Sequence, residues 1–189
     1  DVRLPCGAFY PTTESPAVPD RPVAAAARGA GAGVPVLMAV HRDASGTRTR
    51  TDRKHTAMAG SSMGGLISLY AITKYPKVFG AAGAVSTHLP LGDPNWTPSE
   101  REDIFAAWRN YVRQELGKPK GRRIWFDHGT ETLDAFYRPY QENLDAALVA
   151  NGWRKDRDFS SRVYEGTPHE ENAWAARMDE IFGWMLKGR

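Results

Sequence analysis

The pattern of hydrophobic and polar positions changes near residue 55. Before it no period is visible: residues 1–35 are rich in Pro, Gly and Ala, and Val23 to Val34 is almost wholly Ala and Gly. Such a stretch offers few large side chains to offset the entropy of ordering it. Pro16, Pro19, Pro22 and Pro35 keep any helix through Ala24–Ala27 short. Val34 to Val40 is the one early run that reads as a strand or buried segment. Residues 1–54 are otherwise expected to be irregular.

From His55 onward, short apolar runs alternate with segments of helical spacing. His55–Ala59 reads as a strand ended by Gly60. Met63–Lys74 carries Leu66, Ile67, Leu69, Tyr70 and Ile72 at helical intervals and stops before Pro76. Phe79–Ser86 reads as a buried strand of small residues, and residues 89–99 as a loop with three prolines. Arg101–Leu116 is an amphipathic helix whose start is marked by Ser99, Glu100 and Glu102. Arg123–Asp127 is a strand, and Leu133–Asn151 a helix closed by Gly152. Phe159–Tyr164 is the last strand. Glu170–Leu186 is the last helix, with Trp174, Met178, Ile181 and Met185 on one stripe. This alternation predicts an α/β fold, a mostly parallel sheet with flanking helices, in one domain whose core is 55–187.

Composition narrows the function classes. The 189 residues hold 25 basic and 22 acidic side chains, a net charge of +3. These charges are interspersed and form no basic stripe with interleaved aromatics, so no nucleic-acid partner is expected. The densest basic stretch, Arg48–Lys54, reads as a solvated loop. Cys6 is the single cysteine, which excludes an intrachain disulfide. No apolar run approaches the ~18 residues of a membrane span. No signal peptide is visible, and the expectation is a soluble protein, cytoplasmic or secreted.

One pentapeptide changes the picture. Gly60-Ser61-Ser62-Met63-Gly64 lies between an apolar strand and an amphipathic helix. A nucleophilic serine at such an elbow sits in a strained turn, so the residues two positions away must be small. Gly60 and Gly64 meet that need around Ser62, whereas Ser61 has no glycine two positions before it. The Met63 amide, next to the nucleophile at a helix N-terminus, is the expected oxyanion donor.

A serine hydroxyl needs a general base. His41 and His55 precede the elbow, and His88 and His128 follow strands. His169 lies after the last strand and before the last helix, in Gly166-Thr167-Pro168-His169-Glu170-Glu171, where the chain order Ser, acid, His places the base. The acid should follow the preceding strand, where Asp127, Glu131 and Asp134 compete. Asp134 is preferred and Glu131 is the reserve. Asp134 could equally serve the dipole of the helix that follows. Trp96, Trp125 and Tyr137 are candidates for an aromatic pocket, with core packing as the plainer role of each.

His55 to Leu66, followed by Tyr75-Pro76-Lys77-Val78-Phe79, resembles the Putative esterase family of the α/β-hydrolase superfamily. That family includes enterochelin and other siderophore esterases, S-formylglutathione hydrolase and feruloyl esterases. Phe126-Asp127-His128-Gly129-Thr130-Glu131, and His169 with Trp174 five residues on, look like its acid and histidine regions. The resemblance covers about residues 47–187. It implies a serine esterase acting on a small-molecule ester through Ser62, His169 and an acid, without metal or organic cofactor. Many relatives place the acid three residues after the glycine equivalent to Gly129, where this chain has Thr132; a longer loop would bring Asp134 into that role. Relatives also carry more chain before the elbow, including a loop that donates the second oxyanion amide. A shortened N-terminal part would leave a sheet edge open to pairing with a second copy. Two rival readings follow: a non-catalytic or weakly active truncated homologue, and an acyltransferase using the same triad.

Overall fold

Small residues fill the two strands that precede and follow the elbow helix, and they let helices approach the sheet closely. The structure is a computed structural model that describes residues 36–40 and 52–186. Its strands are β1 (Val36–Val40), β2 (Thr56–Ser61), β3 (Ala81–Val85), β4 (Arg123–Gly129) and β5 (Phe159–Tyr164), in the sheet order β1-β2-β3-β4-β5. β1 pairs antiparallel with β2, Val36 opposite Gly60, and β2 to β5 are mutually parallel. The helices are α1 (Met63–Lys74), α2 (Pro98–Asn110), α3 (Arg138–Ala150), α4 (Glu171–Ala175) and α5 (Met178–Leu186).

Each parallel step moves the same way across the sheet, so right-handed crossovers put α1, α2 and α3 on one face. There Ile67, Leu69 and Ile72 of α1, Trp108 of α2 and Leu144 and Leu148 of α3 pack on Met58, Ala82, Ile124 and Phe126. The alternate strand residues Ala57, Ala59, Ala81, Val85 and Trp125 face Trp174, Ile181, Phe182 and Met185 from α4 and α5. Both faces of the parallel sheet are thereby covered, which is why its strands read as continuous apolar runs. No helix of the described residues is long and apolar enough to cross a membrane.

Several boundaries differ from expectation, each for a local reason. Val36–Val40 is a strand within the early run read as a strand or buried segment, and it starts two residues later than that run. The rest of 1–54 before Asp52 lies outside the described residues. α2 is capped by Thr97 rather than Ser99: the Thr97 side chain accepts from the Glu100 amide, the Glu100 carboxylate accepts from the Thr97 amide, and Pro98 takes the first helical position. Its continuation, Tyr111–Leu116, is a π-helical turn. The helix expected over 133–151 begins instead as a 3-10 turn, Thr132–Phe136. The terminal helix is broken between Ala175 and Met178, at Arg177.

Candidate active site

Because β2 to β5 are parallel, their C-terminal ends share one edge of the sheet, the usual place for sites in α/β folds. The loops leaving that edge carry Ser62, Ser86 to His88, Asp134 and His169.

Ser62 has φ 54° and ψ −117°, a region side-chain-bearing residues rarely adopt. Its amide donates to the Val85 carbonyl at 2.9 Å, and its carbonyl accepts from the amides of Gly65 (3.1 Å) and His88 (3.3 Å). The strained conformation is thus held from both neighbouring segments. A Cβ on Gly60 would lie 2.6 Å from the Gly64 carbonyl oxygen, so strand and helix meet backbone to backbone. Gly60→Ala is expected to destabilise the fold by about 1–3 kcal/mol, measured by urea unfolding. Ser61 remains in β2 and is buried. Met63 is the first residue of α1, so its amide lacks a partner within the helix and sits at the positive end of the dipole.

The loops after β4 and β5 are stitched together. The amides of Thr130 and Glu131 both donate to the Thr167 carbonyl at 3.1 Å, and the Gly166 amide donates to the Thr130 hydroxyl oxygen at 2.8 Å. A Cβ on Gly129 would lie 2.0 Å from that same Thr167 oxygen, so only glycine permits the approach. The His169 amide donates to Thr132 Oγ1 at 2.8 Å. Thr132 therefore holds the backbone of His169, and the ring finds its carboxylate two residues further on. His169 Nδ1 lies 2.6 Å from Asp134 Oδ1.

Asp134 is buried, on the 3-10 turn. Its Oδ2 accepts from the Ser86 hydroxyl and the Gly129 amide, both at 2.6 Å. Burial alone would raise its pKa, but the donors from His169, Ser86 and Gly129 together hold it below the ordinary carboxylate value. Asp134 is thus an acceptor at both oxygens. Nδ1 of His169 carries the donated proton and Nε2 is left as the acceptor. Glu131, the reserve acid, is exposed, and Asp127 is buried against Arg177 instead.

His169 stands between two aromatic rings, Tyr137 with centroids 5.6 Å apart and Trp174 at 4.9 Å, both edge to face. The Tyr137 hydroxyl meets His88 Nδ1 at 2.7 Å, and His88 Nε2 meets the Gly92 carbonyl at 2.8 Å. A carbonyl only accepts, so His88 carries its proton on Nε2 and accepts the phenol's hydrogen bond at Nδ1. Burial lowers the pKa of His88, partly opposed by the Gly92 bond, and the neighbouring His169 lowers it further. Burial, reinforced by the Asp134 charge, pushes the Tyr137 phenol well above its usual value and keeps it a donor.

The pH consequence follows from linkage. Between the lowered folded value of His88 and about 6.5, the unfolded chain binds a proton that the folded chain does not. The stability this neutral imidazole contributes is present above about pH 6.5 and is lost as pH falls through the folded value. Urea unfolding followed from about pH 7.5 to about 5 is expected to show the decline, and His88→Gln to flatten it.

The other expected residues lie elsewhere. His55 is at the opposite end of β2, with Nδ1 2.7 Å from Asp52 Oδ1. His128 is buried against the Gly129 carbonyl, and His41 lies outside the described residues. Trp125 is fully buried beneath α5, its ring 5.9 Å from that of Trp184, so it is core rather than pocket wall. Trp96 packs beside the α1–α3 core with its indole N–H on the Pro90 carbonyl. Tyr137 alone of the three aromatics packs against His169.

A family model described as Putative esterase matches residues 44–185. The chain belongs to the Putative esterase family. No curated protein sequence matches the chain. Among solved structures, a ferulic acid esterase matches with a TM-score of 0.51 and 21% identity over 73% of this chain and 54% of that one. Enterochelin esterase from Shigella flexneri matches with a TM-score of 0.55 and 19% identity, over 73% of this chain and 32% of that one. Ferric enterobactin esterase from Salmonella typhimurium gives 0.51 and 21%, over 73% and 32%. These matches establish the α/β-hydrolase-type fold. The chain spans between a third and about half of the length of the esterases it matches.

Two residues beside the candidate site, Arg177 and Ser86, went unseen in the sequence. Arg177, at the break between α4 and α5, donates through Nη2 to Ser86 Oγ and to Asp127 Oδ1, both at 2.7 Å. The Trp125 indole and the Ser86 amide also donate to Asp127. Burial pushes the Asp127 carboxyl up, against the pull of Arg177 and the other donors. One signal was available: an arginine interrupting a segment whose other inward positions are apolar.

Proposed function

We propose that this chain carries the reacting groups of a serine carboxylic-ester hydrolase that works through an acyl-enzyme. The observation that carries the reading is the 2.6 Å contact between His169 Nδ1 and buried Asp134, on the sheet edge where the strained Ser62 elbow opens. Membership of an esterase family supports it.

Ser62 Oγ attacks the ester carbonyl while His169 Nε2 takes its proton. The carbonyl oxygen becomes an oxyanion, which the Met63 amide and the N-terminus of α1 stabilise. Collapse breaks the bond to the alkoxy group, which leaves as the alcohol with the proton from Nε2. Water then attacks the acyl-Ser62 ester with His169 again as base, releasing the acid and restoring the serine. Asp134 orients the imidazole and stabilises its charged form throughout. The Tyr137 and Trp174 rings beside His169 suit a short or aryl acyl group better than a long fatty chain.

The test is a panel of p-nitrophenyl esters of rising chain length with a feruloyl ester beside them, paired with fluorophosphonate labelling read by intact mass. We expect a single adduct on Ser62 and turnover that falls as the acyl chain lengthens. A folded protein that takes no adduct overturns the esterase reading; a preference for long fatty acyl groups overturns the substrate class.

A further inference from the structure

We propose that Ser86 is a positioning residue, holding the Asp134 carboxylate in place for His169, and that Arg177 sets the direction of its hydroxyl. This rests on the reading of Ser62, His169 and Asp134 as the reacting groups.

Ser86 follows β3 with φ 37°, a left-handed conformation in which glycine is relaxed and a side chain is not. Serine at this position therefore costs backbone strain and brings two hydrogen bonds that glycine could not make. Their directions are forced. A guanidinium only donates, so Ser86 Oγ accepts from Arg177 Nη2. The single hydroxyl proton is then left for Asp134 Oδ2.

The chain of contacts is buried along its length, with Ser86 at 0% exposure, Asp134 and Asp127 at 1% and Arg177 at 5%. Arg177 cannot swing away, because Asp127 holds the same Nη2, and Asp127 is fixed in turn by Trp125 and the Ser86 amide. With two donors converging on Oδ2, the Asp134 carboxylate cannot rotate, and Oδ1 stays aimed at His169. Ser86 thus links the junction of α4 and α5 to the Asp134 carboxylate, which belongs to neither that junction nor the β3 loop.

Two substitutions separate the hydroxyl from the backbone. Ser86→Gly and Ser86→Ala both delete the hydroxyl, but only glycine suits φ 37°. Each is measured for kcat and KM on p-nitrophenyl acetate, for melting temperature, and for the downfield proton resonance of the His169 Nδ1–H. The expected result is a fall in kcat of about tenfold to a hundredfold in both, with KM little changed. Ser86→Gly should melt no lower than the parent, and the His169 resonance should shift or broaden in both. A loss confined to Ser86→Ala would assign the effect to backbone strain and overturn the proposal, as would an unmoved resonance in Ser86→Gly. If Ser86→Gly does not fold, the resonance in Ser86→Ala decides. A parent chain that hydrolyses nothing would sink the esterase reading alone, since the His169 resonance still reports whether Ser86 positions Asp134.

Discussion

Ser62→Ala is expected to lower kcat by roughly 10⁶-fold, with KM almost unchanged and no fluorophosphonate adduct. The substitution removes the oxygen proposed to attack and little else. Alanine keeps a Cβ, so the elbow at φ 54° is neither relieved nor worsened, and the amide bond to Val85 does not involve the side chain. Stability should therefore stay within about 0.5 kcal/mol of the parent. His169→Ala should cost as much, because a serine without its base is as ineffective as a base without its serine. Combining the two should cost no more than either alone, the mark of groups that act as a unit. Stopped assays with active-site titration check this; measurable acyl-enzyme formation in Ser62→Ala would assign the nucleophile elsewhere.

Asp134→Asn is expected to lower kcat by about 10⁴-fold while leaving the fold intact. The reason lies in the donors around the carboxylate. Ser86 and Gly129 both donate to Oδ2, so the amide of an asparagine must place its oxygen there. Its NH2 then occupies the Oδ1 position, facing His169 Nδ1. A donor there forces Nδ1 to accept and moves the imidazole proton to Nε2, the nitrogen that must take the proton from Ser62. The base is disabled by its tautomer, without displacement. Glu131→Gln, at an exposed position, is expected to change kcat by less than about twofold, within the range of surface substitutions. Steady-state kinetics on the two variants decide between the carboxylates: a large loss at Glu131 with none at Asp134 would reverse the assignment.

Much of the architecture was legible because it depends on local periodicity. α1 and β5 have the expected limits, since each is a strongly patterned segment bounded by glycine, proline or a turn. The start of α2 and the continuity of the terminal helix differ from expectation. The sequence marks Ser99 as the start of α2, but the reciprocal bonds between Thr97 and Glu100 place the cap at Thr97. The break at Arg177 answers to Ser86 and Asp127, which stand 91 and 50 residues away in the chain. No window of local sequence contains that information.

Ser62 and His169 could be singled out as candidates from the chain alone because their surroundings are local: glycines two positions either side of the serine, and a histidine between the last strand and the last helix. The acid was different. Asp127, Glu131 and Asp134 lie within eight residues, and sequence offers each a reasonable role. What separates them is which way each carboxylate faces once β3, β4 and β5 lie side by side. Asp127 turns to Arg177, Glu131 to solvent, and Asp134 to His169. Sequence determined most of the elements, the elbow and the place of His169 between the last strand and the last helix, because those follow from spacing along the backbone. Only the tertiary structure decided which carboxylate meets His169 and the Ser86–Arg177 contacts behind it, because hydrogen bonds between distant loops depend on packing that no local pattern records.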